Sequence, residues 1–213
     1  MADKPILFSG PMVRAILAGR KSQTRRITEP LVDGRHNFAL PIVTAHGHAF
    51  QPRYRVGDRL WVREAHYLTD DGDSQCAIYA DDEEAVRDHL ALISDMQHRL
   101  SLSEDWAAPH VRLRHGRFMP RWASRITLTV TSVRVERLQD ISEYDALAEG
   151  VAPSWLDEHD NGTVHAGAQP THRRGFARLW REIHGTGAWL ANPWVAAYSF
   201  SADHRNIDAQ EAA

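Results

Sequence analysis

The chain has 213 residues, of which 43% are hydrophobic and 25% charged, and its net charge is −3. That composition belongs to a folded globular protein and excludes a collagenous, disulfide-rich or fully disordered chain. The charge balance excludes a dedicated non-specific polyanion binder, and no apolar run approaches the ~18 residues of a membrane span.

Ile6-Leu7-Phe8 predicts a short strand. Ser9 or Gly10 can cap a helix whose first turn accepts Pro11, and Met12, Val13, Ile16 and Leu17 then share one face. Gly19 stops that helix. The next residues, Arg20-Lys21-Ser22-Gln23-Thr24-Arg25-Arg26, carry four cations and no acid before a strand begins. A helix C-terminus favours such cations by ~0.3–1 kcal/mol each. Residues 27–56 hold Pro30, Gly34, Pro41, Gly47 and Pro52 and predict an irregular excursion with one strand near Ala39–Thr44.

After the Val56-Gly57-Asp58 turn, Leu60, Val62 and Glu64 alternate with Arg59, Trp61 and Arg63, so a strand with a Leu60 core face turns Glu64 inward. Residues 70–88 are strongly acidic. A helix is predicted over 82–100, with Val86, Leu90, Ile93, Met96 and Leu100 as its covered stripe, and residues 101–118 read as polar loop. Ile126, Leu128 and Val130 alternate with threonines, and the apolar phase then shifts to Val133 and Val135, which implies a bulge or bend near Ser132.

Ser142 and Asp145 open a short helix that Gly150 closes after Glu149. Residues 152–172 read as loop. Thr171 caps a further helix, with Phe176, Leu179, Trp180 and Ile183 on its face. Asn192-Pro193 breaks the chain before a last strand containing Trp194, Ala196, Tyr198 and Phe200. Helices do not alternate regularly with strands, so an α+β fold is expected: a small curved or closed β-sheet with peripheral helices.

Several of these elements together resemble the ASCH domain family of the PUA-like β-barrel superfamily, in particular its longer, phage-associated members. The carriers are Ala15-Ile16-Leu17-Ala18-Gly19-Arg20-Lys21 with Thr24 and Arg26, the Gly57-Asp58-Arg59-Leu60 turn and strand, the Ile126–Val135 strands, and Ile141-Ser142-Glu143 running to Glu149. The resemblance implies a single PUA-like small β-barrel domain over residues 1–213. Its core is 4–64 and 119–200, with a helical insertion at 66–118 and a second insertion at 152–172; the polar residues 202–213 read as a disordered tail. Short bacterial members of this family are N4-acetylcytidine amidohydrolases that use a lysine, a threonine and a glutamate. The matching positions are Lys21, Thr24 and Glu149. The chain departs from that pattern in its length, about twice the minimal ~100-residue domain, and in having Ser22 and Gln23 between the motif positions.

The resemblance therefore implies an amidohydrolase acting on an N4-acylated cytosine nucleoside or a related modified nucleobase. Thr24 is the expected nucleophile, Lys21 its base and Glu149 a proton-handling or orienting carboxylate. A lysine base must fall from about 10.4 to ~7–8, which costs about 4 kcal/mol. Arg20, Arg25, Arg26 and burial push that way, while close pairing with Glu149 pushes back. In extended chain Lys21 and Thr24 lie on opposite faces, so the stretch must bend for both to reach one substrate. Arg26 and Arg20 are candidate substrate contacts, Glu64 is an alternative carboxylate, and Trp61 and Trp122, interleaved with arginines, are candidate stacking platforms.

Plainer readings stand beside each residue. The cations also fit a simple helix cap, Thr24 a strand former, Glu149 a surface helix residue and Glu64 an edge-strand residue. The alternative function is a non-catalytic RNA- or modified-base-binding module, with a ribonuclease as a third option. The 13 histidines, including His46-x-His48 and the His110/His115 pair, lack zinc-site spacing, so neither metal nor cofactor is expected. Cys76 is the only cysteine, which fits a reducing cytoplasm and no disulfide-linked partner. The N-terminus lacks the pattern of a signal peptide. The expected partners are a modified pyrimidine nucleoside or RNA, with no membrane.

Overall fold

The computed structural model describes residues 3–31, 42–44, 47, 49–70, 75–155 and 169–209. In chain order the strands are β1 (Asp3–Leu7), β2 (Gln23–Ile27), β3 (Ile42–Val43), β4 (Ala49–Phe50), β5 (Arg59–Arg63), β6 (His66–Asp70), β7 (Gln75–Tyr79), β8 (Thr127–Arg137) and β9 (Trp194–Asp203). The α-helices are α1 (Gly10–Leu17), α2 (Glu83–Arg99), α3 (Glu104–Val111), α4 (Glu143–Ala148) and α5 (His172–His184). The fold is α+β. A mixed five-stranded sheet runs in the order β1-β5-β8-β9-β2, and β3-β4 and β6-β7 form two small sheets. β1 is parallel to β5, and β2 is antiparallel to β9 with Thr24 opposite Tyr198.

Two compact units divide the chain: 1–17 with 59–128 and 203–213, and 18–58 with 129–202. In the first unit, Ile6, Val13, Ile16, Leu60, Val62, Ile126 and Leu128 are buried, so the apolar faces expected of β1, α1 and β5 are core faces. The β6–β7 hairpin runs into the acidic stretch, with Tyr67 opposite Ile78. The acids of that stretch obscured the strand pattern of Gln75–Tyr79. Residues 104–111, expected as polar loop, form α3, because Ser103 caps it by accepting from the Trp106 amide and Glu104 and Asp105 suit its first turn. α2 buries His89 and Ile93 and leaves Leu90 and Leu100 exposed, so its covered face is rotated from the expected stripe. Ile93 is buried and Val86 and Met96 are half-buried as expected; His89 joins them because its ring bonds the His110 carbonyl oxygen. Residues 202–209, expected as a loose tail, continue β9 to Asp203 and then bury Ile207, while Asn206 donates to the carbonyls of Arg121, Trp122 and Ser124.

The second unit has its own core of Leu138, Ile141, Ala146, Phe176, Ala177, Trp180, Trp189 and Val195. Ser142 and Thr171 cap α4 and α5 as expected, accepting from the Asp145 and Arg174 amides. Ile183 is 52% exposed, so the covered face of α5 ends with Trp180. β8 is one continuous strand, and its in–out alternation fails at Thr131 and Ser132, both exposed. Of the strand expected near Ala39–Thr44, residues 42–43 are β3 and residues 39–41 lie outside the described residues, as do His46, His48 and 156–168. Among the described residues no helix is long and apolar enough to cross a membrane.

Gly175 sets how closely α5 approaches the chain after α4. A Cβ there would lie 2.0 Å from the Ala152 carbonyl oxygen, whereas one at Gly187 would meet nothing within 4 Å. Gly175→Ala is expected to lower stability by about 1–3 kcal/mol in urea unfolding, with Gly187→Ala near neutral. Equal effects from both would contradict this packing.

Candidate functional site

Residues 19–26 supply the site because the helix before them stops and a strand begins. Gly19 adopts φ 68°, a left-handed conformation that glycine takes without strain. Arg20 and Ser22 then face solvent while Lys21, Gln23, Thr24 and Arg25 are buried. Lys21 forms a β-bridge with Glu149, and the Ser22 amide donates to the Ala148 carbonyl at 2.9 Å. Lys21 thus lies at a helix C-terminus, but that of α4 rather than of the helix preceding it in sequence.

The Lys21 ammonium donates to Glu149 Oε2 at 2.7 Å, to the Glu149 carbonyl at 2.9 Å and to the Gln23 carbonyl at 2.8 Å. These three acceptors match its three donors. The contact to the Glu149 carbonyl also satisfies one of the carbonyls that a helix end leaves open. Glu149 is the C-cap of α4, a position where its charge opposes the helix dipole, and two cations compensate it. The second is Arg25, whose Nη1 donates to Glu149 Oε1 at 3.2 Å and to Gln23 Oε1 at 2.6 Å.

Arg25 also binds Glu136 through Nε and Nη2, and Arg134 bridges Glu136 and Asp145. Three cations and three carboxylates thus form one balanced chain from the interior to the surface, where the Arg134 side chain is 42% exposed. Burial pulls Lys21 below its ordinary ammonium value, against Glu149, which raises it, and with Arg26 and Arg25, which lower it further. Burial alone would raise Asp145, but hydrogen bonds from Arg134, Ser142 and Gln23 and the Arg134 charge bring it below the usual carboxylate range.

The strand separates the expected residues by parity. Gln23 and Arg25 turn toward Glu149, and alternation along β2 gives Thr24 and Arg26 the opposite parity, with Arg26 still within electrostatic reach of Lys21 and Glu149. Thr24 is buried opposite Tyr198. Arg26 acts electrostatically on Tyr54 and Tyr198, whose rings meet edge-on at 5.1 Å. Lys21 and Glu149 are brought together; Thr24 has the opposite parity in β2 to Gln23 and Arg25. Gln23, Arg25, Glu136 and Asp145 belong to the site and were not singled out as its members. The odd-numbered parity of Lys21, Gln23 and Arg25 in a strand was the available signal.

An open cleft of about 540 Å³ lies on the outer side of this bridge, lined by Arg20, Ser22, Tyr144, Leu147, Val151 and His172 among others. Tyr144 is 78% exposed and Leu147 follows it by three residues on α4. Glu143 caps the first amides of α5, accepting from His172 N at 2.6 Å and Arg173 N at 2.9 Å, and so holds the His172 wall.

Glu64, Trp61 and Trp122 belong to the first unit. Glu64 is buried at the end of β5, as its alternation requires, and receives Arg125 through Nε at 3.1 Å and Nη2 at 2.8 Å. Arg125 also reaches Asp81 at 2.5 Å and lies 3.8 Å from the Tyr79 ring centroid. Burial raises Glu64, opposed by Arg125 and aided by Asp81. Trp61 is half-buried beneath Arg63, and Trp122 is exposed. His66 Nδ1 meets the Glu64 carbonyl at 3.0 Å, and its buried Nε2 has no hydrogen-bond partner among the described residues. Among the described residues no group of three or more His, Cys, Asp and Glu is placed to hold a metal ion. Comparison with protein-family models, with curated proteins and with solved structures finds no match for this chain.

Removing one partner of the buried pair leaves an uncompensated charge. Lys21→Met is expected to cost about 3–5 kcal/mol, and Lys21→Met/Glu149→Leu less than the sum of its single changes. Additive costs in a urea double-mutant cycle would contradict direct coupling. Burial also holds His66 below its ordinary 6.5, against the Glu64 carbonyl and with Arg114. Below 6.5 the unfolded chain therefore binds the proton more readily. The contribution of neutral His66 is complete above that value and drains as pH falls, so urea midpoints should drop as pH is lowered through about 6.5. His66→Gln should flatten that dependence; an unchanged slope would contradict it.

Proposed function

We propose that this chain is an ASCH-type domain of the PUA-like β-barrel class that binds a modified pyrimidine nucleoside, free or within RNA, in the cleft of its second unit. The observation carrying this reading is the open cleft on the outer side of a buried Lys21–Glu149 bridge. Its size falls within the ~300–1,000 Å³ usual for small-molecule sites. Tyr144 supplies an exposed ring for stacking a base, and Arg20 a fixed charge and planar donors for its carbonyl oxygen or a phosphate. Leu147 and Val151 offer apolar wall for an acyl substituent. The ASCH assignment rests on the motif residues quoted above and is supported by the helix-stop-strand geometry at Gly19–Ile27.

The second reading, hydrolysis of an N4-acylated cytosine nucleoside by Lys21, Thr24 and Glu149, is favoured by one observation. Burial and two arginines lower the affinity of Lys21 for its proton, as a general base requires. Three others weigh against it. All three residues are under 5% exposed, every Lys21 donor is engaged, and alternation along β2 gives Thr24 the opposite parity to Gln23 and Arg25, which reach toward Glu149. The binding reading is therefore preferred.

Calorimetry with N4-acetylcytidine is the test. Binding is expected, weakened about tenfold or more in Tyr144→Ala, in line with the ~1–3 kcal/mol of one base–aromatic stack, with the nucleoside recovered intact. Release of cytidine that disappears in both Lys21→Ala and Thr24→Ala would replace binding with hydrolysis.

A further inference from the structure

Between Asp105 and Glu136 the chain contains six arginines and no acidic residue. Three of the six are committed to carboxylates: Arg121 to Asp3 and Asp208, Arg125 to Glu64 and Asp81, and Arg134 to Glu136 and Asp145. Among the described residues, no carboxylate pairs with the other three, Arg112, Arg114 and Arg117, or with Arg63 beside them.

These cations sit on a built surface of the first unit. Arg63 Nη1 donates to the Arg117 carbonyl at 3.0 Å, joining the end of β5 to the strip that follows α3. Arg114 pairs by its backbone with His66 at the start of β6. Gly116 lies so close to β5 that a Cβ would approach the Glu64 carbonyl carbon to 2.9 Å and Leu7 to 2.7 Å. The strip 111–118 is thereby pinned. It exposes Val111, Arg112, Leu113, His115, Arg117 and Phe118, with Phe118 69% exposed. Glu64, whose backbone Gly116 touches, gives its carboxylate to Arg125, so it does not neutralise the strip.

We infer that this strip docks an acidic protein segment in which carboxylates alternate with apolar side chains. Unpaired arginines select carboxylates, bidentate where geometry allows. The exposed Val111, Leu113 and Phe118 gain by burial against aliphatic or aromatic side chains. Single-stranded nucleic acid fits less well on two counts. Aliphatic side chains offer a base nothing to stack on, and the Trp61 ring is half-buried beneath Arg63 at 5.6 Å. The same unit also exposes Glu83, Glu84 and Asp88 on α2, which repel a long phosphate backbone more than a short segment. This surface is independent of the cleft proposed above.

Fluorescence anisotropy on the full chain tests the inference. The probe is a labelled peptide alternating Glu with Leu and Phe, about eight residues long to match the strip. Binding should be detected at low salt, weaken as salt rises, and fall about tenfold or more in Arg112→Glu/Arg117→Glu. Phe118→Ser, a change at an exposed position, should weaken binding at all salt concentrations with the melting temperature unchanged. No binding at low salt, unaltered binding in these variants, or tighter binding of a single-stranded RNA of equal length would each overturn it.

Discussion

The second unit is organised by one buried ion pair. Bringing Lys21 and Glu149 out of water costs several kcal/mol per charge. The structure offsets that cost with a 2.7 Å contact, two further carbonyl acceptors for the ammonium and a second cation, Arg25, on the carboxylate. Because Glu149 terminates α4 and Lys21 leads into β2, the pair ties a helix end to a sheet edge. The Ser22–Ala148 hydrogen bond lies beside it. Arg20 and Ser22 on one side, and Tyr144 and Leu147 on the other, are then presented to the same cleft. In this account the motif lysine is the tie that shapes the binding surface, and the residues around it that face outward do the binding.

That division explains the allocation of positive charge. The arginines of the interior and its margins are matched: Arg25 to Glu136 and Glu149, and Arg125 to Glu64 and Asp81. Such buried pairs fix which element meets which, and contribute less net stability than their short distances suggest. Arg112 and Arg117, which have no carboxylate partner among the described residues, lie at exposed strip positions of the first unit. Net charge alone, at −3, hides both groups.

Much of the frame was legible in the sequence. Gly19, Ser142, Thr171 and Gly150 mark helix ends because caps and positive-φ stops are local chemistry. The Leu60–Val62–Glu64 alternation foretold a buried carboxylate, since one face of that strand had to be core. A helix-terminal glutamate in need of a cation was likewise readable at Glu149. Its partner was harder: Lys21 lies 128 residues away, and only tertiary pairing brings it to α4 rather than to the dipole of its own preceding helix. The β6–β7 hairpin and α3 were hidden because acids and polar residues mask short elements whose covering comes from elsewhere in the unit. On α2 the covered face takes in His89 beside Ile93, because a histidine with a carbonyl partner buries readily. Bringing Lys21 and Thr24 to one substrate requires the stretch to bend, and alternation along β2 gives Thr24 the opposite parity to Gln23 and Arg25, which reach toward Glu149.

The claim that Lys21 and Glu149 shape the cleft without touching its occupant is tested most directly by ligand affinity in Lys21→Met/Glu149→Leu. These apolar replacements remove both charges together and avoid leaving one unpaired. With folding verified by melting, N4-acetylcytidine should bind with a dissociation constant within about threefold of the parent, a change under 1 kcal/mol. Loss of binding in a folded double variant would contradict the account and put the lysine on the ligand.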